Sequence, residues 1–110
     1  MISYLLAYCL AFTTYDRPTN DACSVFGRMY EVKDKQYADY LVYIEESEYS
    51  ADLVVYEQDN ALYADRVGQW HFVENKAFAT YRIHFTKNKS LADFIIAFTD
   101  TESFARCNRP

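Results

Sequence analysis

The chain has 110 residues, one domain's worth, and 51% of them are apolar, which excludes wholesale disorder. A net charge of −5 sets the surface against phosphate backbones and anionic lipid heads, which argues against nucleic-acid binding and polybasic membrane contact. Two Gly and two Pro are too few for a series of tight hairpins, so the connections must be built another way, while eleven Tyr, eight Phe and one Trp provide rings suited to half-buried strands.

Residues 2–12 read ISYLLAYCLAF. This run is too short to span a bilayer and has the length of the apolar centre of a secretory signal peptide. No Lys or Arg precedes it and no Ala-x-Ala follows it. The other reading is an apolar strand or helix that docks on the domain. Residues 13–22 (TTYDRPTNDA) are polar, contain Pro18, and read as a linker. The expected division is therefore 1–22, an apolar leader and linker, and 23–110, a single repeat domain. The expected location is periplasmic or extracellular, with the cytoplasm as the alternative and no stable membrane span.

From Gly27 onward the sequence repeats. The aromatics that close each apolar run are Tyr30, Tyr43, Tyr56, Phe72, Phe85 and Phe98, separated by 13, 13, 16, 13 and 13 residues. A second column, Ala38, Ala51, Ala64, Ala79, Ala92 and Ala105, is separated by 13, 13, 15, 13 and 13. Two independent columns with one period, both interrupted at the same place, are the mark of tandem units. Asp follows four of the alanines (Asp39, Asp52, Asp65, Asp93), and Thr80 and Arg106 take the other two places. Tyr37, Tyr63, Phe78, Leu91 and Phe104 precede the alanine, with Tyr49 one place earlier. The interruption contains Gly68 and reads as a bend between two halves of three units each. The gap from aromatic to alanine is 8 in the first half and 7 in the second, which sets the halves apart.

Each unit predicts a strand of about five residues, such as 40–44 or 94–98. Polar connections such as Glu45-Glu46-Ser47-Glu48 and Lys87-Asn88-Lys89-Ser90 lack Gly and fit single helical turns. The alanine column predicts close backbone approach, and the Asp after it a hydrogen bond to nearby backbone N–H groups. Thirteen residues cannot make a core alone, so each unit must be shielded by its neighbours. Both strand faces are apolar, as in Tyr40, Val42 and Ile44 against Leu41 and Tyr43, so both are expected to be covered. Cys23 and Cys107 bracket the array, 107 − 23 = 84 residues apart, and predict a disulfide that ties its ends. The alternative is a pair of reduced, buried thiols.

The stretch from Cys23 to Cys107, with Leu41-Val42-Tyr43, Ser50-Ala51-Asp52, Glu102-Ser103-Phe104-Ala105 and the mid-point Val67-Gly68-Gln69-Trp70, resembles a family of small uncharacterised bacterial tandem-repeat proteins, a domain of unknown function. The resemblance implies a mainly β fold with short helical turns, six strand–turn repeats in two pseudo-symmetric halves, and a backbone tied in a deep seven-crossing (septafoil) torus knot. It brings no activity and no functional residues. Thr80 and Arg106 depart from the family pattern, where Asp and Gly are usual.

Candidate chemistry is sparse. His71 and His84 share a repeat position and would stack if their strands were adjacent, as a weak metal site. The Asp column is read as turn capping rather than a calcium ladder, since calcium repeats bring Gly and several Asp or Asn per turn. Glu45, Glu46 and Glu48 read as a solvated turn. No nucleophile triad or phosphate loop occurs, and no cofactor is expected. The expected protein is a non-enzymatic, monomeric structural or binding module with a protein or glycan ligand on an aromatic face. A small hydrolase or metal-binding enzyme, or an exported effector, is the alternative.

Overall fold

The computed structural model describes residues 22–109. The leader and most of the linker lie outside the described residues, as does Cys9. Seven strands form: β1 (Gly27–Glu31), β2 (Tyr40–Ile44), β3 (Leu53–Glu57), β4 (Gln69–Phe72), β5 (Tyr81–Phe85), β6 (Phe94–Thr99) and the short β7 (Arg106–Cys107). Each of the first six is followed by one 3-10 turn: Lys35–Tyr37, Glu48–Ser50, Ala61–Tyr63, Lys76–Phe78, Lys89–Leu91 and Glu102–Phe104. The expected strands at 40–44 and 94–98 and the single helical turns between strands are both present.

The turns have a sequence cause that the repeat columns missed. Asp34, Asn60, Asn75 and Asn88 each stand just before a turn and accept the backbone N–H two residues on, at 2.9–3.1 Å. A short side-chain acceptor at this place satisfies a donor that the turn leaves open. The alanine then closes the turn, its N–H bonding back to the carbonyl three residues earlier.

The sheet order is β4-β1-β5-β2-β6-β3, and β3 also pairs with β4, which closes the ring into a barrel. All pairings among these six strands are parallel. β7 is antiparallel and pairs with the start of β3, on the edge whose other end carries β4. Every barrel strand thus has both neighbours in the opposite half. The shielding neighbour is not the next unit along the chain, as the repeat alone implies, but one from the other half.

Parallel strands ordinarily need a crossover of a dozen or more residues, usually a helix. Here the eight residues 32–39 carry the chain from β1 past β5 to β2, and equally short segments join most other pairs. The barrel interior is full, so these connections run over the outer face of the strand they skip. The turn Glu48–Ser50 lies against β6, Ala61–Tyr63 against β4, and Glu102–Phe104 against β3. Arg28 of β1 donates its Nε–H to the Phe78 carbonyl at 2.7 Å, which fixes the turn Lys76–Phe78 over β1. First-half connections cover second-half strands, and the reverse. Neither half can be lifted away from the other without threading an end, which is the physical content of the expected knot.

The core fills the barrel with Met29, Val42, Leu53, Val55, Trp70, Ile83, Phe94 and Ile96, and is extended by Ala22 and Val25 ahead of β1. Trp70 donates its indole N–H to the Val25 carbonyl at 2.8 Å and meets Phe94 edge-on. Tyr40 packs on Tyr81 and Phe94, with ring centroids 5.6 and 5.5 Å apart. At the strand ends Phe72, Phe85 and Phe98 close a triangle with centroids 6.2–6.5 Å apart. These three continue the inward faces of Trp70, Ile83 and Ile96, two residues earlier. Tyr30, Tyr43 and Tyr56 instead follow the inward Met29, Val42 and Val55 by one residue and face outward. The single aromatic column is therefore two columns on opposite faces, and the gaps of 8 and 7 residues record the one-residue slip that turns a strand over.

Candidate functional site

Cys23 and Cys107 are joined, with Cα atoms 5.4 Å apart. The bridge ties the turn Ala22–Ser24 to β7, so the ends of the array are held together. Asn108 reinforces this end: its side-chain amide donates to the Glu48 and Ala51 carbonyls at 2.8 and 2.9 Å.

The Asp column behaves as a set of clamps. Asp39 accepts the Arg82 N–H at 2.7 Å, Asp52 the Ile95 N–H at 2.9 Å, and Asp93 the Leu41 N–H at 2.7 Å. In each case the Asp backbone N–H returns a bond to the carbonyl of the same residue. The N–H groups bound belong to the opposite half, not to the local turn. Asp65, at the seam between halves, makes no such clamp and instead lies 3.6 Å from Arg66. Thr80 keeps the backbone half of the arrangement, its N–H bonding to the Arg28 carbonyl.

His71 and His84 do not stack, because β1 lies between β4 and β5. Each places Nδ1 on a backbone carbonyl, of Gln58 at 2.8 Å and of Val32 at 3.0 Å. Those carbonyls occupy equivalent repeat positions, so both imidazoles tie a strand to a connection. No group of three or more His, Cys, Asp or Glu with metal-holding geometry occurs among the described residues. Glu45 and Glu48 face cations, Lys89 at 3.6 Å and Arg106 at 3.3 Å, and Glu46 is exposed.

Two features stand apart from these ties. The first is a belt of exposed rings and apolar side chains. Tyr37, Tyr49, Tyr63, Phe78, Leu91 and Phe104 are 49–91% exposed, and each sits on a different 3-10 turn. The turns at Glu48–Ser50, Ala61–Tyr63, Lys76–Phe78 and Glu102–Phe104 lie over four different strands, so these side chains are spread around the barrel. Five of these stand directly before the alanine and Tyr49 one place earlier, and this place on the turn is the signal that separates them from the strand aromatics of the core.

The second feature is a cleft of about 850 Å³ at the seam, lined by Arg66, Val67, Gln69, Thr101, Glu102, Ser103 and Ala105. The seam is where the repeat breaks, and Gly68 makes the break fit. Its φ is +78°, and a Cβ there would stand 2.6 Å from the Val54 carbonyl oxygen. Gln58 and Gln69 are the buried polar residues among those described. Gln58 Nε2 donates to Gln69 Oε1 at 2.7 Å and to Glu102 Oε2 at 2.8 Å, and Arg66 Nη2 reaches the same carboxylate oxygen at 3.1 Å. A buried donor left without a partner costs about 1–3 kcal/mol, so a polar group at 2% exposure calls for a reason. Sequence reasoning missed this cluster, although the lengthened seam pointed to the place.

A closed parallel barrel of tandem units, wound so that each half covers the other, defines a class of entangled repeat proteins. The family described as the 7(1) septoil knot domain matches residues 22–108, and the chain belongs to that family. No curated protein matches the chain. Among the described residues no helix is long and apolar enough to cross a membrane.

Proposed function

We propose that the domain is a non-enzymatic binding or structural module that acts outside the reducing cytoplasm and engages a protein or glycan through its belt of turn residues. The observation that carries this reading is the belt itself. Seven large apolar side chains, one on each turn and two (Leu62 and Tyr63) on Ala61–Tyr63, stand in solvent on a scaffold whose turns are pinned by caps, alanine closures and inter-half clamps. Aromatic side chains bury much area at little entropic cost, which is why they anchor interfaces. Exposed apolar patches mark interaction sites, and here the exposed side chains recur at a set place in the unit rather than at random.

The Cys23–Cys107 bridge supports an oxidising compartment, in line with the leader-like run at residues 2–12. Mass spectrometry of protein recovered from the native host's envelope fraction is expected to find this bridge intact. Free thiols there would count against the bridge, and with it against the oxidising compartment it supports.

The binding reading is tested by pull-down from the same fraction. Wild-type protein is expected to retain a partner that the triple variant Tyr49→Ser, Tyr63→Ser, Phe78→Ser loses while keeping its far-UV circular dichroism. Equal capture by both proteins would sink the belt as the binding surface.

A further inference from the structure

The seam cleft carries an inference that is independent of the belt. A carboxylate only accepts hydrogen bonds, so the Gln58 group 2.8 Å from Glu102 Oε2 must be its NH2. The same NH2 faces Gln69 2.7 Å away, so Gln69 must present its carbonyl oxygen there. Glu102 therefore sets the orientation of both amides. The NH2 of Gln69 is left with no hydrogen-bond partner among the described residues, on a side chain 2% exposed that lines the cleft. Beside it, Glu102 Oε1 is an uncommitted acceptor, and the exposed Ser103 hydroxyl adds a group that both donates and accepts. Arg66 is shared between Glu102 at 3.1 Å and Asp65 at 3.6 Å, so the cleft has no spare positive charge for an anion and suits a neutral guest. Val67 and Ala105 give it a small aliphatic wall.

From this we infer that the seam cleft is a binding site for a neutral saccharide. Adjacent hydroxyls on a pyranose ring supply what the cleft lacks: one oxygen to accept from Gln69 Nε2 and one O–H to donate to Glu102 Oε1. The ring's C–H face would lie on Val67 and Ala105. The cleft, about 850 Å³ and largely open to solvent, holds one end of a di- or trisaccharide and leaves the rest in water.

The test is two-dimensional NMR of the full-length, oxidised protein, with chitotriose, cellotriose and maltotriose each titrated to millimolar concentration. At least one sugar is expected to shift the Gln69 side-chain NH2 resonances in a saturable way. Glu102→Gln, which keeps the shape and removes the acceptor charge, should weaken that sugar at least tenfold. Ser103→Ala, on the exposed rim, should weaken it several-fold, and neither change should alter the dispersion of the spectrum. The belt variant should bind the trisaccharide as wild type does, which separates failure of this site from failure of the belt. If all three sugars leave the Gln69 amide unmoved, the site holds water only and the inference is overturned. Saturable binding of the peptide-amide probe N-acetyl-triglycinamide in place of any sugar would overturn it equally.

Discussion

Asp39, Asp52 and Asp93 each hold a backbone N–H of the opposite half, and their own N–H groups return the bond. A clamp of this kind fixes the start of a strand against a strand 43 or 52 residues away. Removing the carboxylate orphans a partly buried donor, so Asp93→Ala is expected to destabilise the domain by about 1–3 kcal/mol in urea unfolding. Asp65→Ala touches no clamp and should stay within about 0.5 kcal/mol of wild type. Equal midpoints for the two variants would show that the Asp column is decorative. The alanine column is graded in the same way. Ala51 is 4% exposed and its carbonyl takes the Asn108 amide, whereas Ala92 is only half-buried. Ala51→Leu should cost about 1–3 kcal/mol through overpacking, and Ala92→Leu less. The reverse order in measured denaturant midpoints would refute the close-approach account.

At the scale of the element, the strand–turn unit was legible in the sequence, and its face was not. Alanine marks the end of every turn, so the six alanines stay in register through both halves. The aromatics do not, because Tyr30, Tyr43 and Tyr56 lie on the outward face while Phe72 and Phe85 continue the inward one, with Phe98 in the same register at the solvent-exposed end of its strand. Spacing alone reads these as one column, since a shift by one residue changes the face of a side chain without disturbing the period. The Asx residues that start the turns were equally present in the sequence, but Ser47 and Thr101 interrupt their column, and neither makes a side-chain cap bond. The caps that do form should matter: Asn75→Ala is expected to cost about 1 kcal/mol in global stability. An unchanged midpoint would assign the turn's stability to the alanine closure and the strand beneath it.

For the whole molecule, the period predicts how many units exist but not which units touch. A solenoid that stacks unit upon unit and a barrel wound twice share one repeat length, and loop lengths near eight residues suit either. What decides is that the β3–β4 pairing closes the ring and leaves every first-half strand a gap that a second-half strand fills. The seam cleft was illegible for a related reason, since Gln58, Gln69 and Glu102 are brought together by closure and not by spacing. It follows that neither half has a sheet of its own. Fragments 22–65 and 66–110, prepared separately, are each expected to give the collapsed amide spectrum of an unfolded chain. Dispersed amides from either fragment alone would mean that a half contains its own core.

The pairing pattern itself is open to direct measurement in the oxidised protein by inter-strand nuclear Overhauser effects. Cross-peaks are expected between Met29 and Tyr81, between Leu41 and His84, and between Ile44 and Ile96, which join the two halves strand by strand. Backbone cross-peaks that pair β1 directly with β2, or β2 directly with β3, would contradict the interleaved barrel.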